Sequence, residues 1–108
     1  MTWARAAIGT DLELEFDDIL LEIECLRVRR GGRLVRLGSI EFGILAVLLE
    51  SPSHIWTRAA LVERVWGQRA AVNRRVIDVH VARLRKALGQ TDNKYPIRTV
   101  RGVGYVLG

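Results

Sequence analysis

The sequence predicts an α+β domain: a small antiparallel sheet, then three helices, then a closing β-hairpin. Three observations predict it. Residues 11–37 alternate apolar and polar side chains with period two, residues 38–88 change to helical spacing, and residues 97–107 return to β-rich runs around glycines.

Leu12, Leu14 and Phe16 alternate with Asp11, Glu13, Glu15 and Asp17, giving a strand with one apolar and one acidic face. Ile19–Glu24, Leu26–Arg29 and Arg33–Leu37 read as further short strands, making a sheet of four. Arg30-Gly31-Gly32 supplies a hairpin turn, because Gly-Gly tolerates positive φ. From Gly38 to Glu50 the period is helical. Phe42, Leu45, Leu48 and Leu49 form a stripe that Ile40, Ile44 and Val47 widen, so this helix is largely buried. Its N-cap is Gly38, with Glu41 at N3, or Ser39, and Pro52 stops it.

His54-Ile55-Trp56 is long enough for one bridging strand. Thr57 then caps a helix from Arg58 to Trp66, with Leu61, Val62 and Val65 inward and Gly67 at its end. After the loop Gln68–Val72 comes a third helix, Asn73–Leu88. Ile97–Leu107 reads as a hairpin around Gly102-Val103-Gly104, with Arg101 at its tip. Two helices joined by a short connection, a basic second member and a terminal hairpin describe a winged helix-turn-helix with a β-hairpin wing. The expected domain is 11–108, preceded by a tail or linker remnant at 1–10.

Charge is divided along the chain. Residues 1–52 hold six Lys/Arg against nine Asp/Glu, a balance of −3, and residues 53–108 hold eleven against three, a balance of +8. A polyanionic partner is therefore expected against the second half. The third helix sharpens this expectation. At 100° per residue, Ile77, Val81, Leu84 and Leu88 share a core-facing stripe, while Arg75, Val79, Arg83 and Lys86 lie almost opposite, flanked by Val76 and Ala82. Asp78 is the one acid among Arg74, Arg75, Arg83, Arg85 and Lys86. Guanidinium groups pair with phosphates or with guanine, and Val or Ala methyls pack on the thymine methyl, so this face suits the major groove of DNA.

Other classes fit poorly. Gly102-Val103-Gly104 has no following helix, so it lacks a dinucleotide fingerprint, and there is no phosphate-loop motif. One Cys and two His, His54 and His80, do not make a zinc ligand set, and no cofactor or metal is expected. Asp78 and His80 are two apart on a helix and diverge, so no catalytic pair is expected and the chain reads as a non-enzyme. Cys25 stands alone, which excludes an intrachain disulfide and suits a reducing compartment such as the cytoplasm. No apolar run reaches membrane-spanning length, and no signal-peptide pattern is present. Aromatic residues do not interleave the basic face, which disfavours single-strand and RNA binding.

Several motifs, in order, carry a resemblance. Glu41-Phe42 with Leu45, Arg58-x-x-Leu61 and Val65-Trp66-Gly67 are followed by Val76-Ile77-Asp78-Val79-His80-Val81-x-Arg83-Leu84-Arg85-Lys86-Ala87-Leu88. The last is Ile97-Arg98-Thr99-Val100-Arg101-Gly102-x-Gly104-Tyr105. Together they resemble the OmpR/PhoB family of response-regulator DNA-binding domains, over about Asp11 to Gly108.

The resemblance implies a transcription regulator, the effector part of a two-component-type system in the bacterial cytoplasm. Its third helix would enter the major groove, and its wing the minor groove through Arg101. Arg83 falls at the base-reading position and Val76 and Val79 at methyl-contact positions. Trp66, Arg75, His80, Arg85 and Thr99 fall at phosphate-contact positions, although His80 suits a structural role equally well. Arg74 and Lys86 add charge to the same DNA-binding surface. The family's habits further imply head-to-tail pairs on direct-repeat half-sites, a monomer when free, and an RNA polymerase contact through Gly67, Gln68, Arg69, Ala70, Ala71 and Val72. Ala82 stands where many relatives carry another arginine, and Val76 replaces a common threonine. Those departures motivate an alternative, a winged-helix protein-interaction module that has lost DNA reading.

Overall fold

A computed structural model describes residues 13–68, 72–89 and 95–108. The expected tail at 1–10 lies outside them. Four strands come first: β1 (Glu13–Phe16), β2 (Ile19–Glu22), β3 (Arg27–Arg30) and β4 (Arg33–Val35). They pair antiparallel in sequence order. Leu14, Leu21, Val28 and Val35 sit opposite one another across the sheet, and all four are buried. The period-two pattern therefore has a single consequence, one apolar face. Gly31 and Gly32 turn the β3–β4 hairpin at φ 57° and 80°, as the Gly-Gly pair predicts. β2 and β4 end earlier than the sequence suggests, at Glu22 and Val35, and β3 is shifted by one residue, so that Arg30 pairs with Arg33 instead of opening the turn.

Helix α1 (Ser39–Glu50) follows, with Gly38 as its N-cap. Phe42, Leu45, Leu48 and Leu49 are buried together with Ile44, Ala46 and Val47, so the helix is apolar nearly all round. A helix of that kind belongs inside a fold. Accordingly α1 touches β1 and the helices at 58–66 and 76–88, and it also meets the closing hairpin.

The bridging strand β5 is Trp56–Thr57, starting two residues later and ending one residue later than the expected His54–Trp56, because Trp56 and Thr57 are the ones that find partners, in Tyr105 and Gly104. Thr57 then caps α2 (Arg58–Trp66), its hydroxyl accepting the Ala60 N–H at 3.1 Å, and Gly67 ends the helix. Helix α3 is Val76–Leu88, three residues shorter than predicted at its start. The Asn73 side chain accepts the Arg75 N–H at 2.9 Å, and the N–H groups of Val76, Ile77 and Asp78 bond the carbonyls three residues back. Asn73–Arg75 is thus a tight lead-in turn, a conformation that asparagine stabilises at the expense of regular helix.

The wing is β6 (Ile97–Val100) and β7 (Gly104–Leu107). β7 is central, between β5 and β6. At Gly104 the backbone of β5 passes so close that a Cβ would overlap the Trp56 carbonyl. Among the described residues no helix is long and apolar enough to cross a membrane.

Candidate nucleic-acid interface

Helix α3 is seated by Ile77, Val81, Leu84 and Leu88, each at most 1% exposed. The opposite side faces solvent. Arg74, Arg75, Ala82, Arg83 and Lys86 are exposed, and Val79 is 51% exposed. Val76 is half-buried at the edge. None of the five cations Arg74, Arg75, Arg83, Lys86 and Arg101 has a hydrogen bond or ion pair through its side chain among the described residues. An exposed valine between unpaired arginines gives a surface that water hydrates poorly at its centre and strongly at its rim. Such a surface complements base edges flanked by phosphates.

The wing presents Arg101 in an exposed turn, closed by the Val103 N–H on the Val100 carbonyl at 2.9 Å. Arg85 joins wing to helix. Its Nε donates to the Ile97 carbonyl at 3.1 Å, and its Nη2 donates to the Thr99 hydroxyl at 2.7 Å. Its guanidinium also lies 5.4 Å from the Tyr105 ring centre. The resemblance puts both Arg85 and Thr99 at phosphate-contact positions; in the structure they also bond each other, which ties α3 to the wing.

Asp78 is likewise bonded to other elements. Its Oδ1 accepts from Arg58 Nε at 2.7 Å and from the Tyr105 hydroxyl at 2.5 Å. Burial opposes ionisation of Asp78, but these two donors and the nearby Arg75 outweigh it, so its carboxyl lies below the usual aspartate range. Burial and the Asp78 bond push the Tyr105 phenol up. The arginine paired with Asp78 comes from α2.

His80 lies on the flank of α3, half-buried, with Nδ1 at 2.5 Å from Glu41 Oε2. Trp66 packs partly into the core and places its ring 5.9 Å from the imidazole. Burial works against the Glu41 charge, but the His80 bond, the residue's own backbone N–H and nearby Arg83 hold the carboxyl below the usual glutamate range. Arg30 was missed by the sequence reading. It is 8% exposed, reaches from β3 to the last turn of α3, and donates from Nη1 to the Leu88 carbonyl at 2.8 Å and to the Gly89 carbonyl. Its Nε faces Asp18 at 3.3 Å. No local pattern marks such a residue, since its partners lie 58 and 59 positions away. Of the loop expected at 67–72, Gly67 and Gln68 are exposed and Val72 is half-buried, while Arg69, Ala70 and Ala71 lie outside the described residues.

A seated helix with an outward face of guanidinium and methyl groups, beside an arginine-tipped hairpin, is matched in known proteins. Residues 32–107 match the family model described as "Transcriptional regulatory protein, C terminal". The chain belongs to the OmpR/PhoB family. Within that family it is 48% identical over 94 residues to the phosphate regulon transcriptional regulatory protein PhoB of Rhizobium meliloti (strain 1021), covering 87% of this chain and 41% of the relative. The chain thus spans about two fifths of the length of that relative. Among solved structures, the RstA DNA-binding domain of Klebsiella pneumoniae, determined in complex with the RstA box, superposes with a TM-score of 0.76 at 30% identity. That match covers 88% of this chain and 95% of the RstA domain. The response regulator DrrB, an OmpR/PhoB homologue from Thermotoga maritima, gives a TM-score of 0.77 at 31% identity, covering 89% of this chain and 44% of DrrB. This is a family of regulatory DNA-binding domains and not of enzymes.

Proposed function

We propose that this chain is a sequence-specific double-stranded DNA-binding domain that regulates transcription. The observation that carries the reading is the outward face of α3, where Arg75, Val79 and Arg83 stand exposed while the opposite stripe is sealed in the core. In this reading α3 enters the major groove, Arg83 reads a base edge, and Val79 and Val76 meet thymine methyls. Arg74, Arg75 and Lys86 pair with phosphates, His80 and Trp66 meet the backbone at the flank, and Arg101 enters the adjacent minor groove. Arg85 and Thr99 act through their mutual bond, holding the wing at the angle that lets both grooves be reached together. The complex formed by the RstA domain supports this mode.

Its likeness to response regulators such as MtrA of Mycobacterium tuberculosis and DrrB of Thermotoga maritima supports the effector part of a two-component-type regulator, working in the bacterial cytoplasm. We further propose head-to-tail pairing on direct-repeat half-sites by a chain that is monomeric when free, and an RNA polymerase contact through residues 67–72. Selection from random duplexes, followed by footprinting of the recovered sequence, tests the whole reading. Recovery of two spaced half-sites is expected, with affinity that falls steeply as salt rises. Equal affinity for recovered and random duplex at moderate salt would overturn it.

A further inference from the structure

The contact between Glu41 and His80 ties the start of the innermost helix to the flank of the exposed one, across 39 positions of sequence. Both side chains are nearly enclosed, at 9% and 16% exposure. An ionised carboxylate only accepts, so the proton between Glu41 Oε2 and His80 Nδ1 belongs to the imidazole. That leaves Nε2 as the second ring nitrogen. Among the described residues it has no protein partner, and it is not one of the polar atoms sealed from solvent. It lies within one helical turn of both Val76 and Arg83, at the border of the outward face.

The seat of Glu41 is shaped by a second residue. A Cβ at Gly38 would overlap Glu41 Oε1, so the carboxylate folds back over the helix start into space that a side chain at position 38 would contest. Glu41 stands at N3 behind the Gly38 N-cap, and one of its oxygens is directed to a histidine on another helix. The groups facing the imidazole are Glu41 from α1, the Trp66 ring from α2, and on α3 itself Arg83, which lies near Glu41.

We propose that Glu41 is a positioning residue for DNA binding: it fixes the Nδ1–H tautomer of His80, so that Nε2 takes up a proton from solvent on meeting a backbone phosphate and affinity rises as pH falls. The inference rests on the DNA-binding reading above. No bond is made or broken beyond that protonation, after which the imidazolium donates Nε2–H to a phosphate oxygen and the buried carboxylate balances its charge.

The test is duplex affinity at fixed ionic strength, measured with a random-sequence duplex between about pH 5.5 and 8.5, where histidine changes charge. For the unaltered chain, affinity is expected to fall with rising pH, by at most about tenfold per pH unit for one proton. Glu41→Gln keeps an acceptor but removes the charge, and it should move that fall to lower pH. His80→Gln should abolish the fall and lower acid-limb affinity by about tenfold, the worth of one charged hydrogen bond. Nitrogen NMR shifts of the free protein read the tautomer independently: Nδ1–H in the unaltered chain, a mixture in Glu41→Gln. Thermal melts of the variants check that they fold. A pH profile identical in all three proteins, or an Nε2–H tautomer in the unaltered chain, overturns the proposal while leaving the DNA-binding reading standing. Absence of any duplex binding at any pH overturns the reading itself.

Discussion

Arg58 on α2 and Asp78 on α3 are joined Nε to Oδ1 at 2.7 Å, and the same oxygen takes the Tyr105 hydroxyl from β7. One carboxylate atom therefore locks the scaffold helix, the exposed helix and the central wing strand. Its folded pKa is lowered, so the stability it contributes is complete above the ordinary aspartate value of 3.8 and is lost as pH falls through the lowered value. Asp78→Asn should cost about 1 kcal/mol near neutrality, modest because both side chains are partly exposed. Urea unfolding at neutral pH and on the acid limb measures this: the gap between parent and variant should close in acid.

Arg83 and Arg75 should separate base reading from backbone attraction. Arg83→Ala is expected to lose about 1–3 kcal/mol of specific binding and to relax preference at one base pair. Arg75→Ala should weaken all duplexes alike and reduce the slope of log affinity against log salt by about one. Titrations at several salt concentrations on a selected and a scrambled duplex distinguish the two outcomes.

Gly104 is the point where β5 and β7 come closest, and the obstacle to a side chain there is the Trp56 backbone. Backbone cannot swing aside as a flexible side chain would. Gly104→Ala should therefore destabilise the fold by about 1–3 kcal/mol or more and loosen the wing. A lowered melting temperature and faster amide exchange in Tyr105 and Val106 are the expected readouts.

Arg30 supplies the carboxyl end of α3 with its donors. Arg30→Met keeps most of the buried stem but removes the charge-assisted bonds to the Leu88 and Gly89 carbonyls, at an expected cost of about 2–3 kcal/mol. Denaturant titration gives the cost, and exchange of the Leu88 and Gly89 amides shows where it falls.

What the sequence made legible was whatever depends on near neighbours. Ile77, Val81, Leu84 and Leu88 declare their stripe by spacing, Thr57 declares a cap by its hydroxyl, and Gly31-Gly32 declares a turn by its backbone freedom. Asn73 shows the limit, since its short-range bond to Arg75 delays the helix that the periodicity extends through it. The polar contacts across the fold were not legible. Glu41 reads as a cap residue and Arg30 as the first residue of a hairpin turn, and only the packing of α1 and β3 against α3 brings each to its partner. The bonds of Arg85 to the wing were not legible for a related reason: its long stem lets the guanidinium reach Ile97 and Thr99, far from it in sequence.

Arg30 lies just upstream of the span, 32–107, that the family model matches. A chain trimmed to that span would keep every cation of the proposed docking face but lose the residue that stoppers the rod beneath it. It would also strip β1 to β3 from the flank of α1. The smallest autonomous unit for binding work should accordingly begin no later than Glu13, and fraying of α3 in shorter fragments would be an artefact of the cut.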